Sequence, residues 1–165
     1  ILAETKKSAK SIIDTLYKMD TSILLQRYIA EANGEDIRII VVGNKVVASM
    51  KRTSDLDDFR SNVHRGADTT AIKPTAKEQY IALNATKYLG LGVAGVDLMR
   101  SKKGPVLIEV NASPGLQGIE AATGVNVAKH IIQFVEKNQN LFRKVNTLLF
   151  FYKKISSQIL LTPIL

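Results

Sequence analysis

Residues 96–120, "VDLMRSKKGPVLIEVNASPGLQGIE", constrain the fold more than any other stretch, because two acids and an amide sit inside runs of Val, Leu and Ile. The runs "GVAGVDLM" and "GPVLIEVN" read as strands joined by "RSKKG", an antiparallel hairpin. With the turn at Lys102 and Lys103, residue numbers that add up to about 206 lie opposite each other, so Asp97 faces Glu109. Like charges directly across a ladder destabilise a sheet, and an unpaired buried carboxylate is costly or takes up a proton. A compensating charge is therefore required. Asn111, two residues beyond Glu109, shares its strand face, while Val96, Leu98, Ile108 and Val110 point the other way. Three oxygen-bearing side chains of this kind suit Mg²⁺ or Mn²⁺, hard ions that keep several waters and commonly share a site with phosphates. Salt bridges to neighbouring basic residues, or a register shifted by one, are the competing readings.

The rest of the chain supplies a scaffold of the same kind. Residues 4–19 place Ala9, Ile12, Ile13, Leu16 and Tyr17 at helical spacing. "SILLQRYI" reads as a buried strand, and "DIRIIVVGNKVVASMKR" as a second hairpin turning at Gly-Asn-Lys. Residues 53–73 lack periodicity and read as a loop. Thr75 with Glu78 forms a capping box for a helix that runs to Gly90, and Asn126 caps a last helix with Ala128, Ile131, Ile132 and Val135 as its apolar stripe. The class is α+β: an antiparallel sheet with flanking helices.

Composition narrows the function classes. Twenty-three Lys and Arg against fifteen acids give a net charge of +8 in 165 residues, which favours anionic partners. Half of that excess lies in residues 141–165, which carry Arg143, Lys144, Lys153 and Lys154 and no acid. A global nucleic-acid surface is thus disfavoured, and aromatic residues, at 6%, are too few for stacking platforms. The absence of cysteine removes disulfides and thiolate metal sites and suits a reducing cytoplasm. No run of apolar residues is long enough for a membrane span. The chain begins with Ile, which suggests a piece of something longer.

Other groups have both a plain and a functional reading. Asp36 and Arg52 lie nearly opposite in the first hairpin, where an ordinary cross-strand ion pair is the simpler account and contact with a sugar hydroxyl and a phosphate the richer one. In "FRSNVHRG", Arg60, Ser61, Asn62, His64 and Arg65 crowd donors into one loop, either to grip phosphate or carboxylate oxygens or simply as a solvated loop. His64 and His130 form no recognisable metal pair. "GLGVAG" at 90–95 falls between a helix and a strand, the wrong order for a phosphate-binding glycine loop.

Taken in order and spacing, "LLQRYIAEANGEDIRIIVVG", "DFRSNVHRGA", "GVAGVDLMRS" and "LIEVNASPGLQGIE" resemble the C-terminal half of the RimK family of ATP-grasp ligases, over residues 1 to 140. The resemblance implies an ATP-grasp portion at 1–140 followed by a basic, hydrophobic tail at 141–165 of unassigned role. It places metal ligands on Asp97, Glu109 and Asn111, a ribose contact on Asp36, nucleotide contacts on Arg60, Ser61 and Asn62, and the adenine hinge on Arg27 and Tyr28. Arg27 stands where the family usually has Glu. Arg52 and Arg60 are implied as catalytic, acting on the transferring phosphate or the acyl-phosphate. The implied cofactors are ATP and Mg²⁺, with two ions or with Mn²⁺ in its place. The implied reaction is phosphorylation of a carboxylate by ATP, followed by attack of an amino-acid amine to form an amide. For the best-known member, glutamate is added to the C-terminus of a ribosomal protein, so glutamate and a protein or peptide carboxylate are the expected partners. A homo-oligomer is compatible with this.

The family's upstream lysines and glycine-rich loop would precede residue 1, so the isolated chain is expected to bind Mg-ATP weakly and to ligate nothing detectable. Sibling ligases that make lysine precursors, cofactors or peptides are the near alternatives. An inactive basic module that binds RNA or the ribosome is the distant one.

Overall fold

The computed structural model describes residues 1–54 and 68–139. Helix α1 (Lys6–Lys18) is followed by a 3-10 turn (Ala30–Ala32), the hairpin β1 (Glu35–Val42) and β2 (Lys45–Thr53), strand β3 (Asp68–Ala71) and helix α2 (Ala76–Tyr88). The second hairpin, β4 (Val93–Ser101) and β5 (Gly104–Asn111), leads into α3 (Gln117–Thr123) and a helix α4 over 127–139. The strands form one antiparallel sheet in the order β3-β2-β1-β4-β5.

Each hairpin forms where its turn residues put it. Gly43 adopts φ 60° and Gly104 φ 110°, left-handed conformations that a Cβ would disfavour. In β1, "IRIIVV" is buried on both faces, as the central strand of a covered sheet must be. One face carries Ile37, Ile39, Val41, Ala94, Val96 and Leu98 under Ala82 of α2. The other carries Ile40, Val42, Ala48 and Met50 under Ile119 of α3 and Val127 of α4. The same face continues toward the Asp36 end of the sheet as Arg38, Arg52 and Asp97, beyond the apolar cover. That end, outside the apolar cover of α3 and α4, is where the polar groups collect.

Three sequence expectations need correction. Residues 22–29 form no strand: Leu24 and Leu25 are 83% and 69% exposed, and a bond across to β5 runs from the Gln26 side chain, Nε2 to the Ile108 carbonyl at 3.5 Å. An apolar run signals a need for cover but does not supply the ladder partner a strand requires. Within 53–73, Asp68–Ala71 is a short edge strand on β2, too brief for a period of two to show. On α4 the packed residues are Val127, Ile131 and Phe134, whereas Ile132 and Val135 are exposed. Phe134, whose ring edge approaches Gly43 and Gly92, sets the packed face of this helix toward the β1–β2 turn. Helix α1 forms where the apolar spacing places it and is capped by Thr5, yet it buries no residue among those described.

The capping box of α2 doubles as a tie to β4. Glu78 accepts from the Thr75 N–H at 2.8 Å and from Arg100 Nε at 2.7 Å while only 1% exposed. Burial pushes its carboxyl up, but the bonds from Arg100 and Thr75 outweigh it and hold the group below its ordinary value. A lowered folded value means stability that is present above the unfolded pKa and lost as pH falls through the folded one. Glu78→Gln keeps the cap and removes the charge. It should cost about 1 kcal/mol at neutral pH, since Arg100 is half in water, and the gap to wild type in urea denaturation should close in acid.

Candidate functional site

Four charged side chains form a row across the Asp36 end of the sheet. Asp36 lies opposite Arg52, and Arg38 opposite Asp97, in the two ladders that flank and include β1. Arg52 grips Asp36 with both arms of its guanidinium, Nε to Oδ1 at 2.6 Å and Nη2 to Oδ2 at 2.7 Å. Its Nη2 also donates to Asp97 Oδ2 at 3.0 Å. Arg38 makes a second fork, Nε to Asp97 Oδ1 at 2.8 Å and Nη2 to Oδ2 at 2.6 Å. The signs alternate, and the sum is zero. Asp36, Arg52 and Asp97 are 8%, 3% and 6% exposed, so these are buried charges that need each other.

The electrostatics follow from burial. Desolvation pushes the Asp36 carboxyl above its usual value, although the bonds and charge of Arg52 pull against it. Burial works against the Arg52 cation too, but Asp36 and Asp97 together raise its affinity for the proton. The simpler reading of Asp36 and Arg52, a cross-strand ion pair, is therefore present, and it is bidentate.

Asp97 does face Glu109 in the β4–β5 ladder, with Gly95 opposite Asn111. A bulge between Asp97 and Leu98 shifts the pairing beyond this point, so Leu98 meets Leu107. The expectation that both acids are buried holds for Asp97 alone. Glu109 is exposed, because β5 is the edge of the sheet, and its carboxylate has no hydrogen-bond or ion-pair partner among the described residues. The charge that compensates Asp97 here is Arg38 together with Arg52. Arg38 was not singled out from the sequence; its signal was the alternation Asp36, Arg38 on one face of β1, legible only once β1 is known to pair with β4.

Two adjoining cavities share this row. One, of about 680 Å³, is lined by Arg38, Arg52, Asp97, Glu109 and Asn111 with the loop and first turns of α3. The other, of about 390 Å³, is lined by Arg27, Tyr28, Asp36, Arg52, Asp97 and Glu109, among others. The structure thus brings together Arg27, Tyr28, Asp36, Arg52, Asp97, Glu109 and Asn111. Arg60, Ser61 and Asn62, with His64 and Arg65, lie outside the described residues, as does the tail at 141–165.

Chemically, the donor set at the larger cavity is two carboxylates and an amide oxygen, all hard ligands. Among the described residues no three His, Cys, Asp or Glu side chains converge, so any ion would draw on Asn111 and on ligands from solvent or substrate. The set fits a magnesium-like ion of that type. Asn111 Oδ1 accepts from the Ser113 N–H at 2.9 Å, which orients the amide and leaves one lone pair for a further contact.

The loop behind Asn111 depends on a glycine. A Cβ on Gly95 would stand 2.8 Å from Cβ of Pro114. Gly95→Ala should displace Pro114 and the Asn111 turn and cost about 1–3 kcal/mol, read from chemical denaturation.

Comparisons with known proteins agree with the fold. The RimK-like ATP-grasp domain matches residues 1–135. A probable alpha-L-glutamate ligase 1 from Shewanella frigidimarina is 54% identical over 138 residues, covering 84% of this chain and 46% of that protein. A probable alpha-L-glutamate ligase from Coxiella burnetii (strain Dugway 5J108-111) is 56% identical with the same coverage. The chain spans about half the length of the curated relatives it matches. Among solved structures, D-alanine--D-alanine ligase from Bacillus anthracis complexed with ATP aligns with a TM-score of 0.63 at 20% identity, over 87% of this chain and 51% of that one, a likeness of fold. No described helix is long and apolar enough to cross a membrane. With a family match over most of its length and relatives more than half identical, the chain belongs to the RimK-like ATP-grasp family.

Proposed function

We propose that the full-length protein is an ATP-dependent carboxylate-amine ligase that joins the amine of L-glutamate to the carboxylate of a peptide or protein acceptor. The observation that carries this reading is the sharing of Arg52, Asp97 and Glu109 between two adjoining cavities, one beside Arg27, Tyr28 and Asp36 and the other beside Asn111. A nucleotide laid across that row would have its base near Arg27 and Tyr28 and its ribose near Asp36. Its phosphates would reach Arg52 and the acids. Family membership and the names of the relatives support glutamate as the amine.

Asp97, Glu109 and Asn111 are assigned as the ligands of Mg²⁺, one ion or two, with Mn²⁺ as a substitute. When bound, the ion neutralises charge on the phosphate oxygens. Arg52, and Arg60 from the segment outside the described residues, stabilise the charge that develops on the transferring phosphoryl group, and Ser61 and Asn62 contact the nucleotide. In the chemical sequence, an acceptor carboxylate oxygen attacks the γ-phosphorus and ADP leaves. The glutamate nitrogen then attacks the acyl carbon, phosphate departs and the amine loses a proton. A ribosomal protein C-terminus is the acceptor we favour, in the cytoplasm, with residues 1–140 as the ATP-grasp portion and 141–165 as an appendage to it.

The test is ADP release by the full-length protein with ATP, glutamate and a peptide bearing a free C-terminal carboxylate, with mass spectrometry of the peptide. Mass gain by glutamate residues, with ADP release that needs both substrates, supports the reading. ADP release indifferent to glutamate, or an unmodified peptide across a panel of acceptors, contradicts it.

A further inference from the structure

We infer that Arg38 is a cationic latch on Asp97, which keeps a free divalent ion out of the site until nucleotide phosphates arrive. The inference rests on the assignment of Asp97, Glu109 and Asn111 as metal donors. Both oxygens of Asp97 already accept from Arg38, and Oδ2 accepts from Arg52 as well. An ion approaching between the two acids therefore meets one carboxylate that is ready, the exposed Glu109, and one that is occupied.

The two arginines are not equivalent. Arg52 is anchored on its far side by the fork to Asp36, and its side chain is 4% exposed. Arg38 has no acceptor other than Asp97 among the described residues, its side chain is 16% exposed, and it lines the larger cavity. Arg38 is the one free to leave. Charge gives the order of events. Arg38 and Arg52 balance Asp36 and Asp97, so a bare divalent ion would be offset by Glu109 alone and would repel Arg38. Phosphates change both conditions, since they add negative charge and offer the released guanidinium a planar set of acceptors it can grip bidentately. Nucleotide and metal should then bind with positive coupling, and the coupling must be reciprocal.

The experiment measures Mn²⁺ binding to the full-length protein by loss of the free-ion paramagnetic signal, with and without ADP, alongside thermal melting by circular dichroism. Without ADP, Arg38→Met should bind Mn²⁺ about tenfold more tightly than wild type, and the gain in Mn²⁺ affinity that ADP confers should shrink by the same factor. Arg38→Lys, which keeps the charge and loses the fork, should lie between the two and serves alone if the Met variant does not fold. Binding of Mn²⁺ without ADP that is no tighter in the folded variants than in wild type would overturn the latch. Asp97→Asn separates the two layers. If it retains ADP-dependent Mn²⁺ binding, the donor assignment is wrong and the latch falls with it; if it loses that binding while the Arg38 variants gain nothing, the latch alone is wrong.

Discussion

Arg52→Met should destabilise the fold strongly, costing about 3–5 kcal/mol in urea denaturation at neutral pH. Among the described residues Arg52 is the sole cation bonded to Asp36 and the second bonded to Asp97, and all three are nearly dry. Methionine fills much of the space but leaves Asp36 without a bonded cation, with only the more distant charge of Arg38. The pH dependence gives the mechanism a signature. Burial already raises the Asp36 carboxyl with Arg52 present, and without Arg52 the rise grows. A group raised in the folded state contributes stability that is complete below its unfolded pKa and lost as pH climbs through the folded one. The penalty of Arg52→Met should therefore shrink in mild acid, where Asp36 takes up a proton. Asp36→Asn should be gentler, about 1–3 kcal/mol, because Arg52 keeps Asp97 and one amide oxygen, while the amide nitrogen faces the other arm of its fork. Equal penalties for the two variants, or a penalty independent of pH, would show that packing rather than charge is at stake.

Glu109→Gln should do the reverse, leaving the fold intact and silencing the chemistry. Glu109 is exposed and its carboxylate has no described partner, so its substitution should change stability by no more than about 0.5 kcal/mol. As an assigned ligand of the catalytic ion, it should lower ADP formation by the full-length protein at least about 100-fold, more than the loss typical of a residue that only supports a ligand. The pairing of these results is informative because most buried active-site substitutions confuse folding with function. An active Glu109→Gln protein would remove one of the three donors and with it the metal assignment.

Much of this arrangement is legible in the chain before any coordinates. The turns at Gly43-Asn44-Lys45 and Lys102-Lys103 place both hairpins, but the register next to each turn changes by one residue at a bulge, between Ile40 and Val41 in the first and between Asp97 and Leu98 in the second, and past those bulges Asp36 meets Arg52 and Asp97 meets Glu109. The Thr75 capping box and the Asn126 cap form as their side chains require. What could not be read locally was the pairing of β1 with β4, a contact between residues 59 apart in sequence, and so Arg38 went unseen. The same non-locality explains residues 22–29, whose apolar character says that cover is needed without saying from where. It also explains the exposure of Glu109, which depends on β5 having no neighbour. Composition dictates what must be buried; topology decides which of two acids is.

The donor assignment is most directly tested by crystals of the full-length protein grown with Mn²⁺ and ADP, with data collected at the manganese edge. The account predicts an anomalous peak within coordination distance of Asp97, Glu109 and Asn111, with ADP phosphate oxygens completing the shell. A peak held by other residues, with Arg38 and Arg52 still closed on Asp97, would contradict it.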